Sequence, residues 1–171
     1  ALRELAPEAQ KAGVILALEN TISAEDNVRI MERSRSKAVL VYYDVGNSTN
    51  AGFDILKEIP WLGRQRIAQI HLKDKGYMGE GKIDFPAVMR AFAALDVRGF
   101  ANLETSSPSG SVEADMRRNL KFIRDLIAQE FRKKATAIFE QNVTLLELGH
   151  RWAEEHLDFR IEVPAVPSER P

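Results

Sequence analysis

Residues 38–47, AVLVYYDVGN, decide the fold. Six apolar or aromatic residues run without a polar break until Asp44, and β-branched and aromatic types dominate. A strand covered on both faces reads this way, and such strands belong to parallel sheets packed under helices. The segment that follows, VGNSTNAG (45–52), is a loop by composition. Three other stretches repeat the pattern: GVILALEN (13–20) runs into Glu19, RIAQIHLKD (66–74) into His71, and GFANLETS (99–106) into Glu104. The strands are therefore expected at 14–19, 38–44, 66–72 and 100–104, each closing on one side chain able to ligate a metal.

Helical periodicity fills the intervals. Residues 2–12 place Leu2, Leu5 and Ala9 on one face and stop at Gly13. Ser23 caps a helix that carries Val28, Ile30 and Met31 to about Ser36, with Asp26 completing a capping box. A helix from about Phe53 to Glu58 ends before Pro60, with Trp61 as packing. KDKGYMGEGKID (73–84) is a polar loop whose GEG shapes the chain over a pocket. Asp84 caps a helix with Pro86 in its first turn and Val88, Met89, Phe92 and Leu95 on its apolar face. SSPSGS (106–111) leads into a helix from Val112 to about Gln129, with Met116, Leu120, Ile123 and Ile127 aligned. Strand–helix alternation with a polar residue at every strand's C-terminal end is the pattern of a (β/α) barrel, whose rim carries the active site. The fold class is α/β, a TIM-barrel type represented by its C-terminal four strand–helix units.

A complete barrel needs about 250 residues, and this chain has 171 and starts in a helix without an initiator methionine. It reads as the second half of a barrel, either a fragment or a natural half that must find a partner. Residues 1–128 form that half. Residues 129–171 add a long helix over 131–157, anchored by Trp152, and an extended tail, EVPAVPSERP. His150 and His156 are six apart and do not share a helical face.

Composition excludes several classes. The hydrophobic fraction of 44% and charged fraction of 29% are ordinary for a soluble globular protein. A net charge of −1 gives no sign of a nucleic-acid binder. With no cysteine there is no disulfide, thiolate metal site or cysteine nucleophile, which fits a cytoplasmic protein. No apolar run reaches the roughly 20 residues that span a bilayer, so no membrane association is expected.

Glu19, Asp44, His71 and Glu104 come from four different strands, and a barrel rim brings strand ends together. Three carboxylates and an imidazole form an oxygen-rich set suited to a divalent metal: Mn²⁺ first, with Mg²⁺, Co²⁺ or Zn²⁺ also compatible. A catalytic metal keeps open positions that adjacent sugar oxygens can fill, and it acts there as a Lewis acid. Glu19 and Glu104, on the outer two strands, can face each other across the pocket as acid and base.

The motifs ALEN, YDVGN, IHLKD, GEGKIDF and GFANLET, in order across residues 1–128, resemble the xylose isomerase-like barrels, the sugar-phosphate isomerase/epimerase superfamily. DVGN, HLKD and GEG-x-IDF look most like the ketose 3-epimerases, including the L-ribulose-5-phosphate/L-xylulose-5-phosphate 3-epimerases. The resemblance implies Glu19, Asp44, His71 and Glu104 as metal ligands, and Glu19 and Glu104 as the acid/base pair. The implied reaction is C3 epimerisation of a ketose or ketose phosphate through a cis-enediolate. Aldose–ketose isomerisation, hydroxypyruvate isomerisation and inosose dehydration are alternatives on the same constellation. So is a non-catalytic half barrel with an assembly or regulatory role. Endonuclease IV-like cleavage would need more histidines than the chain has. Where many relatives have a histidine three residues after the aspartate, this chain has Asn47, which can hydrogen-bond a hydroxyl but cannot titrate. Where some free-sugar epimerases place an arginine, it has Lys73 and Lys75.

The expected substrate contacts are Asn47, Lys73, Lys75, Ser106 and Ser107. Barrels often hold phosphate on the loops after their last two strands, beside a helix N-terminus. The expected partner is a small sugar or sugar phosphate. The edges of a four-stranded half sheet also invite pairing, so a homo-oligomer is expected.

Overall fold

The structure, a computed structural model, describes residues 1–131. Ala1–Glu130 form one unit and Phe131–Pro171 another. The helix expected over 131–157, the tail, Trp152, His150 and His156 lie outside the described residues.

The order of elements is α1 (Leu2–Ala12), β1 (Leu16–Leu18), α2 (Ala24–Ser34), β2 (Val39–Asp44), α3 (Val45–Asn50), α4 (Ile55–Leu62), a 3₁₀ turn (Arg64–Arg66), β3 (Ile67–Leu72), α5 (Phe85–Ala94), β4 (Ala101–Leu103) and α6 (Val112–Phe131). The four strands form one parallel sheet in the order β1-β2-β3-β4. Each strand lies beside its predecessor and no switch point interrupts the order. With right-handed crossovers, that puts the connecting helices on one face, as in a barrel wall.

Strand parity separates the two faces. Val39, Val41 and Tyr43 of β2 are almost fully buried on the helix side. Tyr43 meets Phe92 of α5 edge-on at 6.4 Å. Ile59 and Leu62 of α4 and Phe85 and Val88 of α5 are sealed from solvent in the same layer. Each such side chain contributes about 1.5–3 kcal/mol of transfer free energy. The Tyr43 hydroxyl donates to Glu58 Oε2 at 2.7 Å, and Glu58 Oε1 accepts from the Ala24 N–H at the start of α2. Burial pushes the Tyr43 phenol far above its ordinary value, so it stays a donor. The opposite face carries Ala17 and Glu19, then Leu40, Tyr42 and Asp44, then Gln69 and His71, then Asn102 and Glu104.

The expected caps are present. Ser23 Oγ accepts from the Asp26 N–H at 3.1 Å, and Asp84 Oδ1 accepts from the Ala87 N–H at 3.0 Å. Other expectations are corrected. Residues 45–50 are a helix and not a loop, because Asp44 caps them: its Oδ1 accepts from Gly46 and Asn47 N–H. Helix α4 runs through Pro60 to Leu62, and Asp54 rather than Phe53 sets its start. The N–H that proline lacks would have bonded the carbonyl of Leu56, a residue on the exposed side. Trp61 lies outside the stripe of Ile55, Ile59 and Leu62 and is half exposed, with the Arg66 guanidinium 5.9 Å from its ring. In α1 the buried residues are Ala6 and Ala9, while Leu5 faces out. In α6 the buried face is Asp115, Asn119, Ile123 and Leu126, while Met116 and Leu120 are exposed. The apolar pattern misled there because two polar residues hold the inward positions. β1 and β4 are shorter than expected, three residues each, at the two edges of the sheet.

Candidate functional site

The sheet register assembles the four candidate ligands. Asp44 pairs with His71 across β2 and β3. Glu19 follows β1, and Glu104 follows β4 with its N–H bonded to the Leu72 carbonyl at 3.0 Å. All four share the parity of the face away from the helices. One ligand atom from each lies within 4.8 Å of the others. His71 Nδ1 is the hub: 3.1 Å from Glu19 Oε1, 3.5 Å from Glu104 Oε2 and 3.6 Å from Asp44 Oδ2.

Asp44 divides its two oxygens between roles. Oδ1 accepts the two N–H groups that start α3. Oδ2 is buried, points into the cluster and has no hydrogen-bond partner among the described residues. A buried anionic oxygen without a partner is costly unless a cation meets it. Burial raises the Asp44 carboxyl above its ordinary value against the N–H groups of Asn47 and Gly46 and the Lys73 charge, which pull it down. The chemistry of the donors, three oxygens and one nitrogen at this spacing, fits a divalent metal.

Lys73 enters the cluster, two residues beyond His71 on the same parity. Its Nζ donates to Glu104 Oε2 at 2.8 Å and to Asn47 Oδ1 at 3.3 Å, and stands 3.8 Å from Asp44 Oδ2. Its stem crosses Gly46 so closely that a Cβ there would lie 2.8 Å from Lys73 Cβ. The hydrogen bond to Glu104 raises the Lys73 ammonium and, reciprocally, holds the Glu104 carboxyl below its usual range. Asn47 thus joins the cluster's edge through Lys73.

Ser106, Ser107 and Lys75 do not join it. Ser106 Oγ donates to the Gly76 carbonyl and Ser107 Oγ to Asp115 Oδ2 at 2.8 Å. Lys75 is exposed, and its backbone N–H bonds Asp74.

Three side chains beneath the cluster escaped the sequence. Tyr42 stacks on the His71 ring, centroids 4.8 Å apart and planes at 26°. Asn102 Nδ2 donates to the Tyr42 hydroxyl and, at 3.0 Å, to Gln69 Oε1. Each lies two residues before a candidate ligand: Tyr42 before Asp44, Gln69 before His71, Asn102 before Glu104. Counting back two from each ligand would have found this layer.

Comparison with known proteins agrees with the architecture. The family model described as "Xylose isomerase-like TIM barrel" matches residues 1–126. The chain belongs to the xylose isomerase-like TIM barrel family. No curated protein matches the sequence. Among solved structures, an L-ribulose 3-epimerase is 20% identical with a TM-score of 0.66, covering 80% of this chain and 56% of its own. The 3-keto-D-glucoside 4-epimerase YcjR from E. coli is 19% identical with a TM-score of 0.65, covering 72% and 51%. The IolI protein with a bound zinc atom is 21% identical with a TM-score of 0.64, covering 76% and 55%. The chain therefore spans about half the length of the xylose isomerase-like structures it matches.

Proposed function

We propose that this half of a xylose isomerase-like barrel carries the metal site of a sugar epimerase, acting at C3 of a ketose. One observation carries the proposal: Glu19, Asp44, His71 and Glu104 present one donor atom each within 4.8 Å of one another, from four successive strands. Those residues would hold a divalent cation, Mn²⁺ in the first instance. The cation would supply Lewis-acid stabilisation of the negative charge that develops when a carbon acid loses its proton.

The chain's own groups do the rest. Glu19 and Glu104 come from the two outermost strands, so they approach a bound sugar from different sides. Inversion at carbon needs a base on one face and an acid on the other, and two carboxylates so placed meet that need. Asp44 is capped into its strand end and serves as a fixed ligand. Asn47 and Lys73 offer a carbonyl, an amide and an ammonium to sugar hydroxyls beside the cluster.

The test is deuterium incorporation from D₂O at C3 of a ketose by the chain loaded with Mn²⁺. Exchange in the native chain that disappears in Glu104→Gln supports the acid/base role. Exchange that survives the substitution removes Glu104 from the pair. Protein that binds no divalent cation at all would favour the non-catalytic half barrel.

A further inference from the structure

A TIM barrel commonly binds phosphate on the loops after its last two strands. Here those loops are residues 73–84, after β3, and 104–111, after β4. Both hold clusters of anion-binding donors, and both clusters are already filled by the chain's own carboxylates.

The loop after β4 wraps around Asp115. Its Oδ2 accepts from Ser107 Oγ at 2.8 Å and from the Ser109 N–H at 3.0 Å. Its Oδ1 accepts from Ser109 Oγ at 2.8 Å and from the Tyr77 hydroxyl at 2.9 Å. Four donors converge on a carboxylate that is only 3% exposed. Two hydroxyls, a backbone N–H and a phenol would serve a phosphate equally well. Burial alone would raise the Asp115 carboxyl, but these hydrogen bonds, led by Ser109 and Ser107, hold it down at about 2. It is therefore an anion at any working pH.

The loop after β3 does the same with Asp74. Its Oδ1 accepts from the Lys75 N–H at 2.8 Å, and its Oδ2 from the Gly79 and Gly81 N–H groups at 3.0 and 3.1 Å. These are the glycines of the GEG motif, and a Cβ on Gly81 would collide with the Asp74 carboxylate.

Three of the surrounding cations are also committed, while Lys75 and Lys82 stand exposed on the loop after β3. Lys73 bonds Glu104, Arg117 bonds Glu113, and Arg118 bonds Glu80 while lying over the Tyr77 ring. A phosphate dianion brought to either loop would meet a carboxylate already holding its donors, and like charge at such range repels.

We infer that these two loops are closed to anions by Asp115 and Asp74, so that the site takes an unphosphorylated ketose and discriminates against the phosphate ester. The substrate half of this statement rests on the ketose reading above; the closure of the loops does not.

Two measurements keep them apart. The full chain without added metal is titrated with inorganic phosphate and followed by calorimetry. Separately, C3 deuterium exchange is compared for a free ketose and its phosphate ester. The expected results are no saturable phosphate binding at millimolar concentration and a preference for the free sugar of at least about ten-fold in kcat/KM. Asp115→Asn removes the charge and should narrow that preference; should it fail to fold, the native chain still decides. Saturable phosphate binding that is lost in Ser107→Ala overturns the inference, and so does faster exchange on the ester. If neither sugar exchanges while phosphate still fails to bind, the ketose reading falls and the closed loops stand.

Discussion

Asp44 and His71 are register partners on adjacent parallel strands, and from that pairing Asp44 Oδ2 and His71 Nδ1 come within 3.6 Å of each other. The pairing fixes more than a distance. A slip of one residue between β2 and β3 would turn His71 to the helix side and Leu72 to the site. The packing of Leu72, fully buried on the helix side, resists that slip. The core thus holds Asp44 and His71 in phase on the site face.

Lys73 competes with any incoming cation. Its ammonium stands 2.8 Å from Glu104 Oε2 and 3.8 Å from Asp44 Oδ2, so a divalent ion must displace it or bear its repulsion. The Lys73–Glu104 pair is partly solvated, which limits its contribution to about 1 kcal/mol. Lys73→Met should therefore tighten Mn²⁺ binding by about five-fold in a calorimetric titration. Weaker binding would mean that the ammonium supports the metal site and does not oppose it.

Tyr42 orients the His71 imidazole by stacking, and supports around a ligand commonly change metal affinity by about 10–100-fold. Tyr42→Ala should weaken Mn²⁺ binding by about ten-fold. Tyr42→Phe keeps the ring and should stay near the native value. Equal losses in both variants would shift the role from stacking to the hydroxyl and Asn102.

Asp115 makes stability depend on pH in a defined direction. Its folded carboxyl titrates at about 2, below the ordinary 3.8. A depressed carboxylate stabilises the fold fully above the unfolded value and loses that contribution as pH falls through the folded one. The difference in melting temperature between the native chain and Asp115→Asn should be constant at neutral pH and shrink between about pH 4 and pH 2. A gap that does not change with pH would assign the stabilisation to packing.

Tyr43→Phe leaves Glu58 Oε2 without its donor while α2 still bonds Oε1. The loss should be about 1 kcal/mol in chemical denaturation, with no change in metal affinity. A change in metal affinity would couple the two faces of the sheet.

Much of this molecule could be read from its residues, for reasons that differ by element. The strands are legible as β-branched and aromatic runs between helical stretches, although burial is mostly on the helix-side face and Leu40, Tyr42 and Gln69 on the other face are partly exposed. The candidate ligands are legible as metal-binding residue types at the ends of those runs, even though Gln69 and Asn102 interrupt two of them. The edge strand β1 is shorter than its apolar run because Val14 and Ile15 are exposed and lie ahead of its pairing with β2. α3 carries no apolar signal of its own; Asp44 sets its start through Oδ1, which leaves Oδ2 free to face the cluster. The inward face of α6 was misread because Asp115 and Asn119 are buried by hydrogen bonds to distant loops, including Met78 N–H on Asn119 Oδ1. No local pattern shows that. Ser106 and Ser107, expected to contact substrate, have their hydroxyl partners within the protein: the Gly76 carbonyl and the Asp115 carboxylate.

Calorimetric titration of the full chain with Mn²⁺, alongside His71→Ala, bears on the proposed metal site before any substrate is chosen. One equivalent should bind per chain, with affinity lost by at least about ten-fold in the variant. Absence of binding, or binding unchanged without the imidazole, would show that these four side chains gather for some purpose other than holding a cation.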